Sequence, residues 1–430
     1  MSMNRRQFVQ VAGSAALLPL VGASLSGCSP ARSGPARVAV IGGGFGGATV
    51  ATYLKKYDPK LEVTLIEPKT SYMTCPGSNW YLAGLRDAKS ITHNYEGLKK
   101  RGINVVHDTV SSVDSNAKTI KLAGGKSLSY DKVVVSPGID FKWGAVEGIT
   151  EANAEKCPHA WQAGAQTELL KKQIEGMKQG GTFVMVSPPN PFRCPPGPYE
   201  RVGMVAEYFK KNNPKAKILI LDAKDAFSKQ GLFLAAWQEV YGNMIEWVAG
   251  KDGGKVTKVD AATMTVYSGY GNIKADVINA IPAQKAASIA FTMGLTNESG
   301  FCPVNMLTFE STVKKDVYVI GDASIAGAMP KSGHSASSQG KICAAAIVND
   351  LAGLPMQPAQ HVNTCYSLIS KDYAISVAGV YSLQDGKIAE IKGSGGVSPK
   401  DANADFRKME ADYTLGWYAS ITKDVWGTGA

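Results

Sequence analysis

A chain of 430 residues with 44% hydrophobic and 19% charged residues can bury more than one core, which points to two or three domains and excludes a disordered chain. The formal charge of +10 includes Arg5 and Arg6 in a leader-like segment, so a processed chain carries about +8, a modest balance for this length. No basic run is interleaved with aromatic residues, which excludes a nucleic-acid binder and leaves an acidic protein partner or an anionic ligand as the natural counterpart.

Residues 1–27 read as an export leader. Asn4-Arg5-Arg6-Gln7-Phe8-Val9 is a twin-arginine pattern, followed by a weakly apolar Ala/Gly/Ser/Leu stretch. Gly13, Ser14, Pro19, Gly22, Ser24 and Ser26 dilute that stretch below the ~20 apolar residues of a membrane span. Leu25-Ser26-Gly27-Cys28 resembles a lipoprotein cleavage box, in which Cys28 becomes the lipidated N-terminus; the alternative is a passenger cysteine beside an ordinary cleavage site. The expected location is the periplasm, reached by the twin-arginine route, with membrane attachment only through that anchor.

After a Ser/Pro/Gly/Arg-containing tether from Ser29 to Ala36, Arg37-Val-Ala-Val-Ile41 reads as a buried strand. It runs into Gly42-Gly-Gly-Phe-Gly-Gly47, a helical register from Ala48 to Leu54, and a second strand from Glu62 to Ile66 that ends at Glu67. This is a βαβ unit with a G-x-G-x-x-G turn. Gly42 permits the tight turn, Gly44 lets backbone N–H groups approach a pyrophosphate, and Gly47 allows close helix packing. Glu67 is placed to accept hydrogen bonds from an adenosine ribose. Short strands follow around Ile103–Val106, Val110–Val113, Lys118–Leu122 and Ser127–Ser129, then a buried strand Lys132–Val135 with the turn Ser136-Pro137-Gly138.

A second α/β pattern comprises Thr182–Val186, a helix around Gly203–Lys210 and Lys217–Leu221 ending at Asp222. Asp276–Ala280 then leads to Val317–Ile320, Gly321-Asp322, and a helix from about Ser335 to Leu351. The expected fold class is α/β: two Rossmann-like dinucleotide-binding domains, glutathione-reductase-like, plus a C-terminal α+β interface domain. The first domain is discontinuous, 36–148 and 285–352; the second is 149–284; the third, 353–430, carries Trp417, Tyr418 and Trp426.

The cofactor is expected to be FAD. Asp322 ends a buried strand where it could bind ribityl hydroxyls, and Pro330-Lys331-Ser332-Gly333 stands at the mouth of a helix whose dipole favours a reduced flavin. The residues assigned to that site are Gly42, Gly44, Phe45, Gly46, Gly47, Glu67, Cys75, Val106, Pro137, Gly138, Asp322, Lys331, Ser332 and Gly333. In the second domain a glycine turn is replaced by Ser187-Pro-Pro-Asn-Pro-Phe-Arg-Cys-Pro-Pro196. Proline has no N–H to offer a phosphate, so nicotinamide binding is not expected there. No C-x-x-C-H and no metal-ligand set occurs, so the chain is expected to hold no c-type haem and no metal of its own, and electrons must leave to an external carrier.

Of the seven cysteines, Cys157, Cys302 and Cys343 lie in ordinary surroundings and read as buried inert thiols. Cys75, Cys194 and Cys365 sit in Pro/Gly/Asn-rich turns, where function concentrates. Their spacing does not select a pairing, and on the residues alone a structural disulfide is the default.

Thr74-Cys75-Pro-Gly-Ser-Asn79, Phe192-Arg-Cys194-Pro-Pro-Gly-Pro-Tyr-Glu200, Gly321-Asp322-Ala-Ser with Met329-Pro-Lys-Ser-Gly333, and Asn363-Thr-Cys365-Tyr366 together resemble the flavin subunit of flavocytochrome c sulfide dehydrogenase. The resemblance covers roughly residues 36–430, and the Cys194 segment is its most specific part. It implies FAD bound covalently through its 8α-methyl group to Cys75 and a redox-active Cys194–Cys365 disulfide. It also implies oxidation of sulfide, with electrons passing to a c-type cytochrome subunit or a soluble cytochrome c docked on the C-terminal domain. Lys331 would help hold negative charge on the reduced ring, and Trp417 is a candidate aromatic near the flavin or the interface. Cys75 has no partner cysteine within five residues, unlike the C-x4-C of pyridine-nucleotide disulfide reductases, which suits a single tether. The alternatives are a sulfide:quinone reductase and a non-catalytic flavin electron-transfer subunit. Residues 401–430 mix charges with scattered aromatics rather than forming the apolar segment a quinone reductase would want.

Overall fold

The structure, a computed structural model, describes residues 34–427; the expected leader, Cys28 and most of the tether lie outside them. In chain order the elements used below are β1 (Arg37–Ile41), α1 (Phe45–Tyr57), β2 (Glu62–Ile66), β3 (Asn104–Val106), β4 (Lys132–Val135), β5 (Thr182–Ser187), α2 (Gly197–Asn212) and β6 (Lys217–Asp222). They continue with β7 (Ile245–Val248), β8 (Val277–Ala280), β9 (Val317–Val319), α3 (Gly333–Leu351), β10 (His361–Ser370), β11 (Tyr373–Gln384), β12 (Lys387–Glu390) and α4 (Ala404–Trp426).

The first sheet runs β9-β4-β1-β2-β3, all parallel. Its strands are near-continuous Val/Ile/Leu runs because helices or strands cover both faces, the usual demand of a parallel sheet. α1 and α3 lie close together: a Cβ on Gly340 of α3 would come 3.0 Å from the Gly46 carbonyl of α1. β9 begins 182 positions after the end of β4, so the domain is discontinuous and its sheet closes only when the chain returns.

The second sheet, β7-β6-β5-β8, is also parallel, with Ser187 opposite Asp222. α2 begins at Gly197, six residues before the position read from the pattern, because Pro198 occupies its first turn, where a missing N–H costs nothing. A three-stranded meander at 110–129 matches expectation. A second one, Val256–Asp260, Thr265–Ser268 and Gly271–Lys274, has no counterpart in the reading of the sequence. Its strands fully bury only Val256, Val259 and Val266, with Ile273 half-buried among mostly polar neighbours, too weak an alternation to see.

β10 and β11 form a long antiparallel hairpin extended by β12, with α4 packed on β11. Residues 36 onward, this segment included, make one compact unit. α4 runs back onto the first domain, where Trp426 is fully buried against Phe45, Tyr72 and His93 and donates from Nε1 to the Gly43 carbonyl at 3.3 Å. Arg101 holds the end of α4 by donating to the carbonyls of Lys423, Asp424 and Val425. The last aromatic therefore supports the glycine turn from outside.

Candidate active site

The glycine turn is held by contacts that leave no room for side chains. Gly42 has φ +99°, and its N–H donates to Ile66 O at 2.9 Å. A Cβ on Gly47 would lie 1.8 Å from the Gly42 carbonyl, so this glycine serves the packing of α1 against the turn. Glu67 accepts from the Gly43 N–H at 2.8 Å and from Lys69 N–H at 3.1 Å, which fixes its carboxylate at the turn's edge.

Above the turn lies a cavity of about 770 Å³, within the range of small-molecule and cofactor sites. Gly42, Gly44, Phe45, Gly46, Glu67, Cys75, Pro137, Gly138, Asp322 and Gly333 all line it. Asp322 Oδ1 is buried without a hydrogen-bond partner, and burial pushes its carboxyl pKa up. An orphaned buried oxygen beside a glycine turn suits a ligand with hydroxyls at one end and phosphates at the other, and FAD has both.

Four assigned residues sit elsewhere. Gly47 only packs. Val106 is off the wall, since its carbonyl accepts from the Glu67 N–H at 3.0 Å and the cavity is instead lined by Asp108, Thr109 and Val110 after β3. Lys331 turns its ammonium to the Asp322 and Ser324 carbonyls, at 2.9 and 2.8 Å, and over the Phe301 ring, so it does not face the cavity as expected. Burial lowers its pKa to about 8. Ser332 caps α3 by accepting from Ser335 N–H and lines the adjoining chamber instead.

The positive charge that does face the cavity is Arg193, missed in the sequence. It lines both chambers, reaches the Trp161 carbonyl, and stands 3.8 Å from Asp322. Its signal was an arginine inside an otherwise Pro-rich, uncharged stretch next to Cys194. Tyr72 was also missed; it lines the cavity and stacks on Trp426 at 5.4 Å.

The adjoining chamber is small, about 80 Å³, and shares Cys75, Pro76, Arg193 and Gly333 with the first. Cys75, Cys194 and Cys365 all line it, each as a free thiol, with Trp161, Glu200, Arg201, His334 and Trp417. Cys75 Sγ is 3.5 Å from the Trp161 carbonyl. Cys194 is held at φ +57°, an uncommon conformation for a residue with a Cβ. A Cβ on Gly197 would meet Cys194 Sγ at 2.9 Å and the Trp161 ring at 2.8 Å, so that glycine lets the two side chains close on the chamber. Trp417 lines this chamber between His334 and Tyr366.

The two facing thiols have unequal surroundings. Burial pushes Cys194 well up, and the nearby Cys365, Glu200 and Cys75 add to this, with Arg193 opposing. Burial also raises Cys365, but its sulfur receives the Asn363 amide at 3.3 Å and lies near Lys229. Lys229 is itself buried, with its pKa lowered to about 8, and donates to the Cys365 carbonyl at 3.0 Å. Glu200 accepts from Asn79, Trp80 and the Leu368 N–H at 2.8, 3.1 and 3.1 Å, tying α2 to β10 behind the thiols. The other cysteines are inert by burial, which lifts Cys157 to about 11, Cys302 to about 12 and Cys343 higher still.

The second dinucleotide mouth is filled from within. Asp222, at the end of β6, is fully buried and bound by Tyr199 Oη at 2.5 Å, Trp247 Nε1 at 3.0 Å and Lys224 Nζ at 2.6 Å. Lys224 also donates to Ser187 Oγ and the Pro188 carbonyl at the end of β5.

Comparison with known proteins agrees with this geometry. Residues 167–282 match the family described as sulfide dehydrogenase [flavocytochrome c] flavoprotein chain, central; residues 357–426 match flavocytochrome c sulphide dehydrogenase, flavin-binding; and residues 36–176 match pyridine nucleotide-disulphide oxidoreductase. A sulfide dehydrogenase [flavocytochrome c] flavoprotein chain from Chlorobaculum thiosulfatiphilum is 63% identical over 46 residues, 11% of this chain and 96% of that one. The mitochondrial sulfide:quinone oxidoreductase of Dictyostelium discoideum is 22% identical over 334 residues, 74% of this chain and 72% of the relative. The solved sulfide:quinone oxidoreductase of Aquifex aeolicus superposes with a TM-score of 0.68 at 18% identity over 91% of this chain and 93% of that one, which establishes the two-dinucleotide-domain α/β fold. Over residues 167–282 and 357–426 the chain is similar to the flavoprotein chain of flavocytochrome c sulfide dehydrogenase, and together with the sulfide:quinone oxidoreductase relatives this supports an FAD-dependent oxidoreductase acting on sulfide.

Proposed function

We propose that this chain oxidises sulfide at a Cys194/Cys365 redox pair, holds its FAD covalently through Cys75, and passes the electrons to a c-type cytochrome. The observation that carries this is the meeting of three cysteines, 119 and 171 residues apart in succession, in one small chamber that shares a wall with the flavin cavity. A hydrosulfide ion attacking one sulfur of the oxidised pair forms a new S–S bond and breaks the Cys194–Cys365 bond. One cysteine is left as a persulfide and the other as a thiolate. Asn363 and Lys229 stabilise negative charge at Cys365, while Arg193 does so at Cys194. When bound, FAD supplies the electron-pair acceptor of this chemistry. At about 80 Å³ the chamber has room for only a few water-sized groups, which selects inorganic sulfide over substituted thiols.

A second reading, electron delivery to a quinone, draws support from the relatives that carry that name. Against it, the exposed apolar residues Met409, Tyr413 and Leu415 of α4 are interspersed with the exposed charges Lys408 and Asp412 rather than forming a continuous apolar face. The filled second mouth disfavours a nicotinamide acceptor. The deciding experiment is a steady-state assay with sulfide, offering a cytochrome c and a soluble quinone separately; faster turnover with the quinone overturns the cytochrome assignment. Periplasmic location and a lipid on Cys28 are part of the proposal. They are tested by cell fractionation of wild type and Cys28→Ser, the latter expected in the soluble fraction.

A further inference from the structure

Two residues that line the thiol chamber carry buried donors with no hydrogen-bond partner among the described residues. Trp161 and Trp417 both line it, and the indole Nε1–H of each is buried without a hydrogen-bond partner. Trp161 is 4% exposed. Buried N–H groups are nearly always paired, because leaving one unsatisfied forfeits its hydration with nothing in return. Two such orphans on residues of one cavity wall would both be satisfied by an acceptor bound there.

The rest of the wall says which kind. Arg201 lies 4.8 Å over the Trp161 ring, and its positive charge strengthens the indole as a donor. Arg201 is itself committed, donating to Asn79 and Asn279 side chains and to the His159 and Ala160 carbonyls at 2.7 to 3.0 Å. It therefore fixes Trp161 in place rather than reaching into the chamber. Gly333 and His334 bring the first turn of α3 to the same wall, and that end of a helix favours negative charge. The occupant is small, accepts hydrogen bonds and is negatively charged.

Building on the sulfide-oxidation reading, we propose that the Trp161 and Trp417 indole N–H groups are the recognition donors for the incoming hydrosulfide ion. They hold it beside the Cys194/Cys365 pair and offset the cost of burying its charge.

The test compares wild type with Trp161→Phe and Trp417→Phe, and with protein carrying benzothienylalanine at 161, which keeps the ring shape and replaces N–H by sulfur. Each loss of an N–H is expected to raise KM for sulfide about tenfold, with a smaller effect on kcat, as for a hydrogen bond to a charged group. Unchanged KM in all three while wild type oxidises sulfide overturns the assignment and leaves the activity standing. If wild type does not oxidise sulfide, the activity reading fails on its own. Calorimetric titration with thiocyanate, an unreactive sulfur monoanion, then judges the donors separately. Weaker binding in the benzothienylalanine protein supports them, and binding equal to wild type overturns them.

Discussion

The backbone N–H of Cys194 donates to the carbonyl of Lys331 at 2.7 Å, joining the mouth of the second domain to the loop that starts α3 in the first. That one bond sets a thiol from the degenerate dinucleotide mouth in the chamber that adjoins the flavin cavity. Cys194→Ser and Cys365→Ser keep this backbone link. Each is expected to abolish bleaching of the flavin by sulfide while dithionite still bleaches it. Anaerobic spectra check this, and full sulfide bleaching in either variant removes the redox pair from the mechanism.

Cys75 lines both chambers and has no cysteine partner nearby in the sequence. Wild type is expected to retain its yellow colour in the pellet after acid precipitation, and Cys75→Ser to release it to the supernatant. The folded variant keeps FAD through the glycine turn, Glu67 and Asp322, with a lower affinity measurable by dialysis.

Gly47→Ala places a methyl 1.8 Å from the Gly42 carbonyl, a clash with backbone that no rotamer relieves. A loss of about 3 kcal/mol or more is expected, together with loss of flavin, read by thermal melts and absorbance. Gly197→Ala instead meets two side chains, Cys194 and Trp161. It should retain flavin and lose turnover with sulfide about tenfold or more, because the thiol and the indole can no longer close on the chamber.

Four of the five histidines have lowered pKa values through burial: His93 and His361 to about 4, His159 to about 3, and His334 by a smaller amount. Below an unfolded value near 6.5 the unfolded chain takes up protons that the fold refuses, so stability falls as pH drops from about 6.5 toward 4. Melting temperatures across that window should decline steeply, and His361→Gln should flatten the decline. A flat profile in wild type contradicts these shifts.

NADH and NADPH are expected neither to bleach the flavin nor to bind detectably by calorimetry. The carboxylate of Asp222 is consumed by Tyr199, Trp247 and Lys224, Lys224 is tied to the Pro188 carbonyl, and the prolines there offer no N–H to a phosphate.

The glycine turn, the strands of both parallel sheets and Glu67 were legible because local rules govern them: continuous apolar runs, a turn that only glycine can make, and an acid at a fixed offset. The absence of a second glycine turn was legible for the same reason, since prolines at Ser187–Pro196 forbid that turn whatever surrounds them. Side-chain direction was not. Lys331 looked like the charge facing the flavin, yet the Asp322 and Ser324 carbonyls claim it, and Arg193 takes the position. α4 read as part of the C-terminal domain, and nothing in the sequence signalled that its Trp426 would pack against Phe45, Tyr72 and His93 of the first.

The sequence by itself determined that a dinucleotide turn exists and that its companion is lost, because backbone conformation depends on neighbours a few residues away. Only the tertiary structure decided that Cys75, Cys194 and Cys365 line one chamber, and that Trp161 and Trp417 leave their N–H groups unpaired beside them. Those relations join residues as many as 342 positions apart, from Cys75 to Trp417, and packing between domains sets them rather than any local preference of the chain.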